Sequence, residues 1–451
     1  MLSAIPNPRS MLRGLASILL TLGTVAGLWP NSPPDSRFGI VEAYDAPLAA
    51  EVAEAGWERV RLNWADLQPD GPGQRWRFRE WTEAQLDRER AEGREVVGLL
   101  IGVPAWARDS SGLPKGLHLA HDAPENLWAG FVRQAAVRFR GQISHWIIWN
   151  EPDVWQADHP AFSWPGSVND FVQLTKVSYL AAHQANPDAV IHLAGLSHYW
   201  DANFGRDLYF RRFLEEVTRP VWGGAQNGYY FDVATLHLYF SPLANYDLLI
   251  QYQGIMRAYG LAKPLWLLET NAPPTDDPTW TVADPLIPVS QDEQAAFIPQ
   301  MLALALAAGA ERVGVYKMQD APREQTADPE PFGLLRLDGT PRPGFLTYRA
   351  ALRMLAGMGN AQLMERESWV RVRLEGQGKV LHVLWARFPG GSLATFPAEG
   401  EQAEVFDQRG REITVLVPQG GRYEVGLQPA VCSQNPCVIG GPVLYVVESG
   451  K

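Results

Sequence analysis

A (β/α)8 barrel followed by a small antiparallel β-sandwich is the fold class that this sequence predicts, and three observations carry it. From residue 38 to about 358, short apolar runs alternate with amphipathic stretches, eight times over. The runs are near-continuously apolar, as parallel strands buried on both faces should be. After residue 358 the texture changes to period-two alternation broken by glycine turns, the pattern of short antiparallel strands.

The elements follow in order. Residues 1–36 stand apart: Arg9 and Arg13 precede the apolar run 14–28, and a Pro-rich linker follows. A basic segment ahead of an apolar run of this length is the pattern of a secretory signal peptide, with an uncleaved signal anchor as the competing reading. Either places the main body outside the cytoplasm, and the anchor reading adds membrane attachment. The barrel is expected over 37–358. Its strands are read at 38–41, 59–64, 96–103, 145–149, 190–194, 231–239, 264–268 and 312–316. Helices are read at 78–93, 124–140, 168–186, 246–260 and 290–309. Pro124-Glu125 has the form of a first turn, and Ser290-Gln-Asp-Glu293 that of a capping box. Gly93, Gly260 and Gly309 fall where helices should stop. A doubly wound open sheet is disfavoured, because no Gly-rich phosphate loop follows the first strand. The β-sandwich is expected over 359–451. Its strands are read at 369–374, 380–385, 403–406, 413–417, 423–427 and 443–447.

Composition narrows the class. With 46% apolar and 20% charged residues the 451-residue chain is a folded globular protein, neither disordered nor polytopic. A net charge of −11 argues against a nucleic-acid partner, whose binding face should be basic. Two cysteines cannot staple a fold of this size, so a hydrophobic core must hold it. Cys432 and Cys437, separated by Ser-Gln-Asn-Pro, suit a local disulfide, with two free thiols as the alternative. Their spacing, without a second pair or a His nearby, is not that of a zinc site.

The chemistry concentrates at two strand ends. The fourth strand closes on Trp149-Asn150-Glu151-Pro152 and the seventh on Leu268-Glu269. Side chains at the C-terminal ends of barrel strands point into one shared site. Glu151 and Glu269 should then face each other across its mouth, and two opposed carboxylates are what glycoside hydrolysis requires. Asn150 can donate to a sugar hydroxyl beside the acid, while Pro152 stops the strand.

These segments resemble the fourth- and seventh-strand signatures of the clan A retaining glycoside hydrolases, most closely family 39 and its relatives. The resemblance runs over roughly 38–448. It implies Glu151 as acid/base, Glu269 as nucleophile and Asn150 as the holder of the substrate 2-hydroxyl. It implies Arg61 as the arginine that keeps the nucleophile ionised, and His237 and Tyr239 as the sixth-strand pair. Clan members commonly end the eighth strand on tryptophan; here Tyr316 and Lys317 occupy that region. No metal or cofactor is implied. The implied partner is an oligosaccharide, polysaccharide or glycoside.

Aromatic residues crowd the loops that should ring the mouth: Trp64, Trp106, Trp155, Phe162, Trp164, Tyr199, Trp200 and Trp280. Rings of this kind cover the apolar faces of sugars, and Trp106 and Trp280 are expected to touch substrate. Each ring has core packing as its alternative. A non-catalytic carbohydrate-binding protein on the same fold is the rival reading, since fold alone does not establish turnover.

Overall fold

The computed structural model describes residues 33–73, 75–322 and 330–449. Of the leader and linker read at 1–36, residues 1–32 lie outside them. The first eight strands are β1 (Phe38–Val41), β2 (Trp57–Asn63), β3 (Glu95–Ile101), β4 (His145–Asn150), β5 (Val190–Gly195), β6 (Ala234–His237), β7 (Leu265–Thr270) and β8 (Arg312–Val315). They form one eight-stranded sheet in the order β5-β4-β3-β2-β1-β8-β7-β6. The two ends of that order meet: His192 and Leu196 bridge in parallel to Val233 and Leu236, so the sheet closes into a barrel. The expected strands are all present, with the sixth confined to four residues.

Helix ends follow local chemistry. Glu83–Ala91 begins at a capping box in which the Thr82 hydroxyl accepts from the Gln85 N–H and Gln85 reaches back to the Thr82 N–H. That cap moves the start inward from residue 78. Leu127–Arg138 starts after Asn126, whose side chain accepts from the Ala129 N–H at 3.1 Å. Pro124 and Glu125 therefore precede the helix and are not its first turn. Gln291–Ala307 opens on the expected Ser290–Glu293 box. Gly93, Gly260 and Gly309 all take positive φ just past helix ends, the conformation in which a side chain is penalised.

Inside the barrel, Trp57, Val97, Leu99, Ile147, Val233, Trp266 and Leu268 form one buried cluster. Trp57 and Trp266 meet at 5.6 Å between ring centroids. This layer fills the interior and leaves the C-terminal strand ends for chemistry.

The remaining strands are β9 (Gly359–Glu365), β10 (Trp369–Gly376), β11 (Lys379–Ala386), β12 (Ser392–Pro397), β13 (Ala403–Phe406), β14 (Glu412–Leu416), β15 (Arg422–Leu427) and β16 (Leu444–Ser449). They make a six-stranded antiparallel sheet, β14-β13-β16-β11-β10-β9, faced by the ribbon β12-β15. Trp369, Leu384, Phe396, Tyr423, Val425 and Val446 pack between the two layers. Burying a side chain such as Phe396 contributes roughly 1.5–3 kcal/mol. Two of these strands carry no clear sequence signal. β9 is an edge strand of mixed exposure, and β12 follows the Gly390-Gly391 turn. Cys432 and Cys437 form a disulfide.

By contacts the described chain divides into two compact units. One holds residues within 1–56, 239–248 and 270–451; the other holds 57–238 and 249–269. Among the described residues no helix is long and apolar enough to cross a membrane.

Candidate active site

Glu151 sits on a pinned turn at the end of β4. Trp149 and Glu151 take φ of 72° and 43°, values that non-glycine residues rarely adopt and that recur at functional sites. Several bonds hold this conformation. The Trp149 indole N–H donates to the Ser163 hydroxyl at 3.0 Å, and that hydroxyl donates to the Asn150 carbonyl at 2.8 Å. The Glu151 N–H donates to the Gly195 carbonyl at 3.1 Å, and the Glu151 carbonyl accepts from Val154 at 3.1 Å. Two residues on, the buried Asp153 carboxylate accepts from the Ser197 N–H and hydroxyl at 2.8 and 2.7 Å, tying the β4 loop to the β5 loop. Burial, with the charge of Glu151 added, pushes Asp153 up to about 7 against the Ser197 bonds.

Glu269 reaches the same place by an irregularity. Trp266 and Leu268 line the interior cluster, so strict alternation would turn Glu269 outward. The β6–β7 register shifts here: Leu236 pairs with Leu267, and His237 then pairs with Glu269. One extra residue in β7 re-aims the carboxylate inward. There Glu269 Oε1 accepts from the buried Arg59 guanidinium. Its Oε2 lies 3.5 Å from His237 Nδ1.

His237 joins the two carboxylates. Its Nδ1 also lies 2.7 Å from Glu151 Oε1, and its Nε2 has no partner among the described residues. The ring fits because residue 195 is glycine: a Cβ there would stand 2.0 Å from His237 Nε2. Burial opposes charge on this imidazole, but Glu269 and Glu151 outweigh both burial and Arg59, and its pKa rises above 6.5. One atom each of Glu151, His237 and Glu269 fall within 4.8 Å of one another. The Glu151 side chain keeps 16% exposure against 7% for Glu269. The first can exchange protons with solvent; the second is held beside a fixed cation. Three such ligands could also gather a metal ion, but Arg59 already supplies positive charge to this cluster, which works against a further cation.

Arg61 does not play the role expected of it. It pairs with Glu80 at the barrel rim and is 37% exposed, while Arg59 holds Glu269. The two arginines share a face of β2, but Arg61 stands about 6–7 Å further along the strand, above the level of the carboxylate. Asn150 is half-buried at the strand end beside Glu151. Tyr239, two residues past His237, is half-buried with its ring edge-on to Phe332 at 5.6 Å. At the end of β8, Tyr316 presents a half-buried ring edge-on to the same Phe332, while Lys317 is fully buried against Glu42. Trp106 is half-buried, donates to the Gln68 carbonyl at 2.8 Å and stands edge-on to Trp64. Trp280 is only 4% exposed, so little of its ring is left for a ligand. Trp64 and Trp164 are core residues at 1% and 2% exposure, whereas Trp155 is open at 42%.

Arg59, Gly195 and the Asp153–Ser197 tie are the residues that sequence reasoning missed. Arg59 had a usable signal, since it lies in period two from Trp57 on the interior face. Gly195 and Ser197 had none, because their roles depend on what β6 and β4 bring against them.

Solved glycoside hydrolases share this fold. In particular, the chain is similar to a family 39 glycoside hydrolase from the gut symbiont Bacteroides cellulosilyticus, with a TM-score of 0.68 and 16% identity over 92% of this chain and 81% of that one. It is similar to a family 30 endoxylanase from Clostridium papyrosolvens, with a TM-score of 0.59 and 11% identity over 92% and 97%. A monomeric beta-xylosidase from Caulobacter crescentus gives 0.58 and 14% over 93% and 97%. No family model matches the sequence, and no curated protein matches it.

Proposed function

We propose that this chain is a retaining glycoside hydrolase, with Glu269 as nucleophile and Glu151 as acid/base. The observation that carries the reading is the approach of the two carboxylates. An oxygen of each lies within 4.8 Å of the other, closer than the roughly 6.5–9.5 Å that an inverting pair needs for its water. In the first step Glu269 attacks the anomeric carbon. The glycosidic C–O bond breaks, and its oxygen takes the proton of Glu151. In the second step a water gives its proton to Glu151 and attacks the same carbon, releasing Glu269. Arg59 favours the ionised nucleophile. The short Glu151–His237 contact holds the acid/base carboxyl in place through both steps.

The substrate class is a carbohydrate glycoside, and xylosides and glucosides head the panel because neighbouring structures include xylan-, xyloside- and glucoside-acting enzymes. Export is part of the proposal, supported by the basic-then-apolar leader pattern and the Cys432–Cys437 disulfide. A 2-deoxy-2-fluoro glycoside bearing an activated leaving group should trap a covalent adduct on the peptide containing Glu269, read by mass spectrometry. Attachment elsewhere, or a product of inverted anomeric configuration, would overturn the assignment.

A further inference from the structure

Three of the rings that follow the barrel strands, Trp64, Trp164 and Trp280, are core, but one group lies open. Trp155, Tyr199 and Phe204 are 42%, 42% and 47% exposed, and they form a continuous surface with the half-buried Trp200. Trp155 stands edge-on to Phe204 at 5.3 Å. Phe204 stacks nearly parallel on Trp200 at 6.1 Å, and Tyr199 stands edge-on to Trp200 at 5.3 Å. Polar groups edge the surface: the Arg206 guanidinium lies 4.8 Å over Trp155, and the His159 ring lies 4.3 Å from Trp200. A contiguous exposed aromatic patch carries a hydration cost and normally has an occupant.

The position of the patch names the occupant. Trp155 is four residues beyond Glu151, in the same loop. Tyr199 and Trp200 open the helix Tyr199–Asn203 two residues after Ser197, which Asp153 ties to that loop. Every ring of the patch is therefore borne on the two loops anchored around Glu151, whose N–H also bonds the end of β5. None is borne on the β7 loop that follows Glu269. In double displacement the acid/base faces the departing group, and the nucleophile faces the sugar that stays. We propose that Trp155, Tyr199, Trp200 and Phe204 bind a saccharide on the leaving-group side of the cleaved bond. The chain would then act on oligosaccharides or polysaccharides in preference to glycosides of simple alcohols. Sugar C–H faces would lie on the rings, with hydroxyls reaching Arg206 and His159. This inference rests on reading Glu151 as the acid.

The test compares two substrates of the same sugar: an oligosaccharide, whose leaving group is a sugar, and the glycosyl fluoride, whose leaving group is too small to reach the rings. In Trp155→Ala/Phe204→Ala the ratio of kcat/KM for the oligosaccharide to that for the fluoride should fall by about tenfold or more, and Trp155→Phe should retain most of it. A ratio within about twofold of wild type, with the fluoride still hydrolysed, overturns the platform and leaves the glycosidase reading standing. Calorimetric binding of xylo- and cello-oligosaccharides to the wild type and the double variant separates the two readings. If no glycoside is turned over, the glycosidase reading and the leaving-group assignment fall together, and weakened binding by the double variant then supports these rings as a saccharide platform alone. Equal binding, or none, overturns it. A double variant that sediments as a smaller species with unchanged sugar binding makes the patch a self-association face and also overturns it. Quenching of the wild-type tryptophan fluorescence by oligosaccharide but not by monosaccharide is the expected result that needs no variant, and its absence counts against the platform.

Discussion

The chain contains two histidine–carboxylate clusters built from the same residue types, and they differ in how fully their carboxylates are bonded and buried. In the barrel, His237 lies between Glu151 and Glu269. In the β-domain, His382 pairs with Glu448 at 2.6 Å, beside Glu399. Glu448 is fully committed: one oxygen takes His382, and the other accepts from the Glu399 and Gly400 N–H groups at 2.7 and 2.6 Å. It is completely buried and lies on a regular strand. Glu151 lies on strained backbone and retains contact with solvent. The histidines shift in opposite directions as well. His237, between two carboxylates, is raised, whereas burial, aided by Arg371 against Glu448, lowers His382. A fully bonded, buried carboxylate on a regular strand specifies structure, while a half-open one on strained backbone is left accessible for chemistry.

The contrast can be broken most sharply by amide substitution. Glu151→Gln and Glu269→Gln should each lower kcat on oligosaccharides by about 10²–10⁴-fold or more, while Glu448→Gln leaves kcat within a small factor, as steady-state assays would show. Next in size is Arg59→Met, which removes the guanidinium from a buried carboxylate. It should cost about 3–5 kcal/mol in urea unfolding as well as activity. Glu448→Gln should cost about 1–3 kcal/mol in the same measurement.

The two histidines should then separate by pH. His237 binds its proton more tightly in the folded state, so its contribution to stability is full below about pH 6.5 and is lost as pH rises through its folded value. His382 binds its proton less tightly, so its contribution is full above about pH 6.5 and is lost as pH falls toward its folded value. In calorimetric Tm–pH profiles, His237→Gln should flatten the alkaline side, and His382→Gln the acid side. The same flattening from both would erase the distinction. The smallest effect belongs to Arg61→Met, about 1 kcal/mol, because Arg61 itself is 37% exposed at the rim, although its partner Glu80 is only 15% exposed.

Much of this was legible in one dimension. Both carboxylates and Asn150 end buried runs, and the eight apolar runs foretold the barrel. The misreading of Arg61 for Arg59 has a geometric cause. Period two gives the face of a strand, but the height at which a side chain meets its partner across a barrel depends on the stagger of strands far apart in sequence. Glu269 is the opposite case: its place at a strand end points it into the site, although alternation from Trp266 points it outward, and only the register shift at Leu268 reconciles the two. β9 and β12 were missed because an edge strand and a two-stranded ribbon need little apolar pattern of their own.

The sequence by itself determined the order of elements, the strand ends that carry acids, and the change from barrel to β-domain, because periodicity and punctuation are local properties. Tertiary structure decided which arginine serves Glu269, why residue 195 must lack a side chain, and which tryptophans are core and which are open. Those outcomes depend on distances between segments tens to hundreds of residues apart, where a shift of one residue changes which side chains meet.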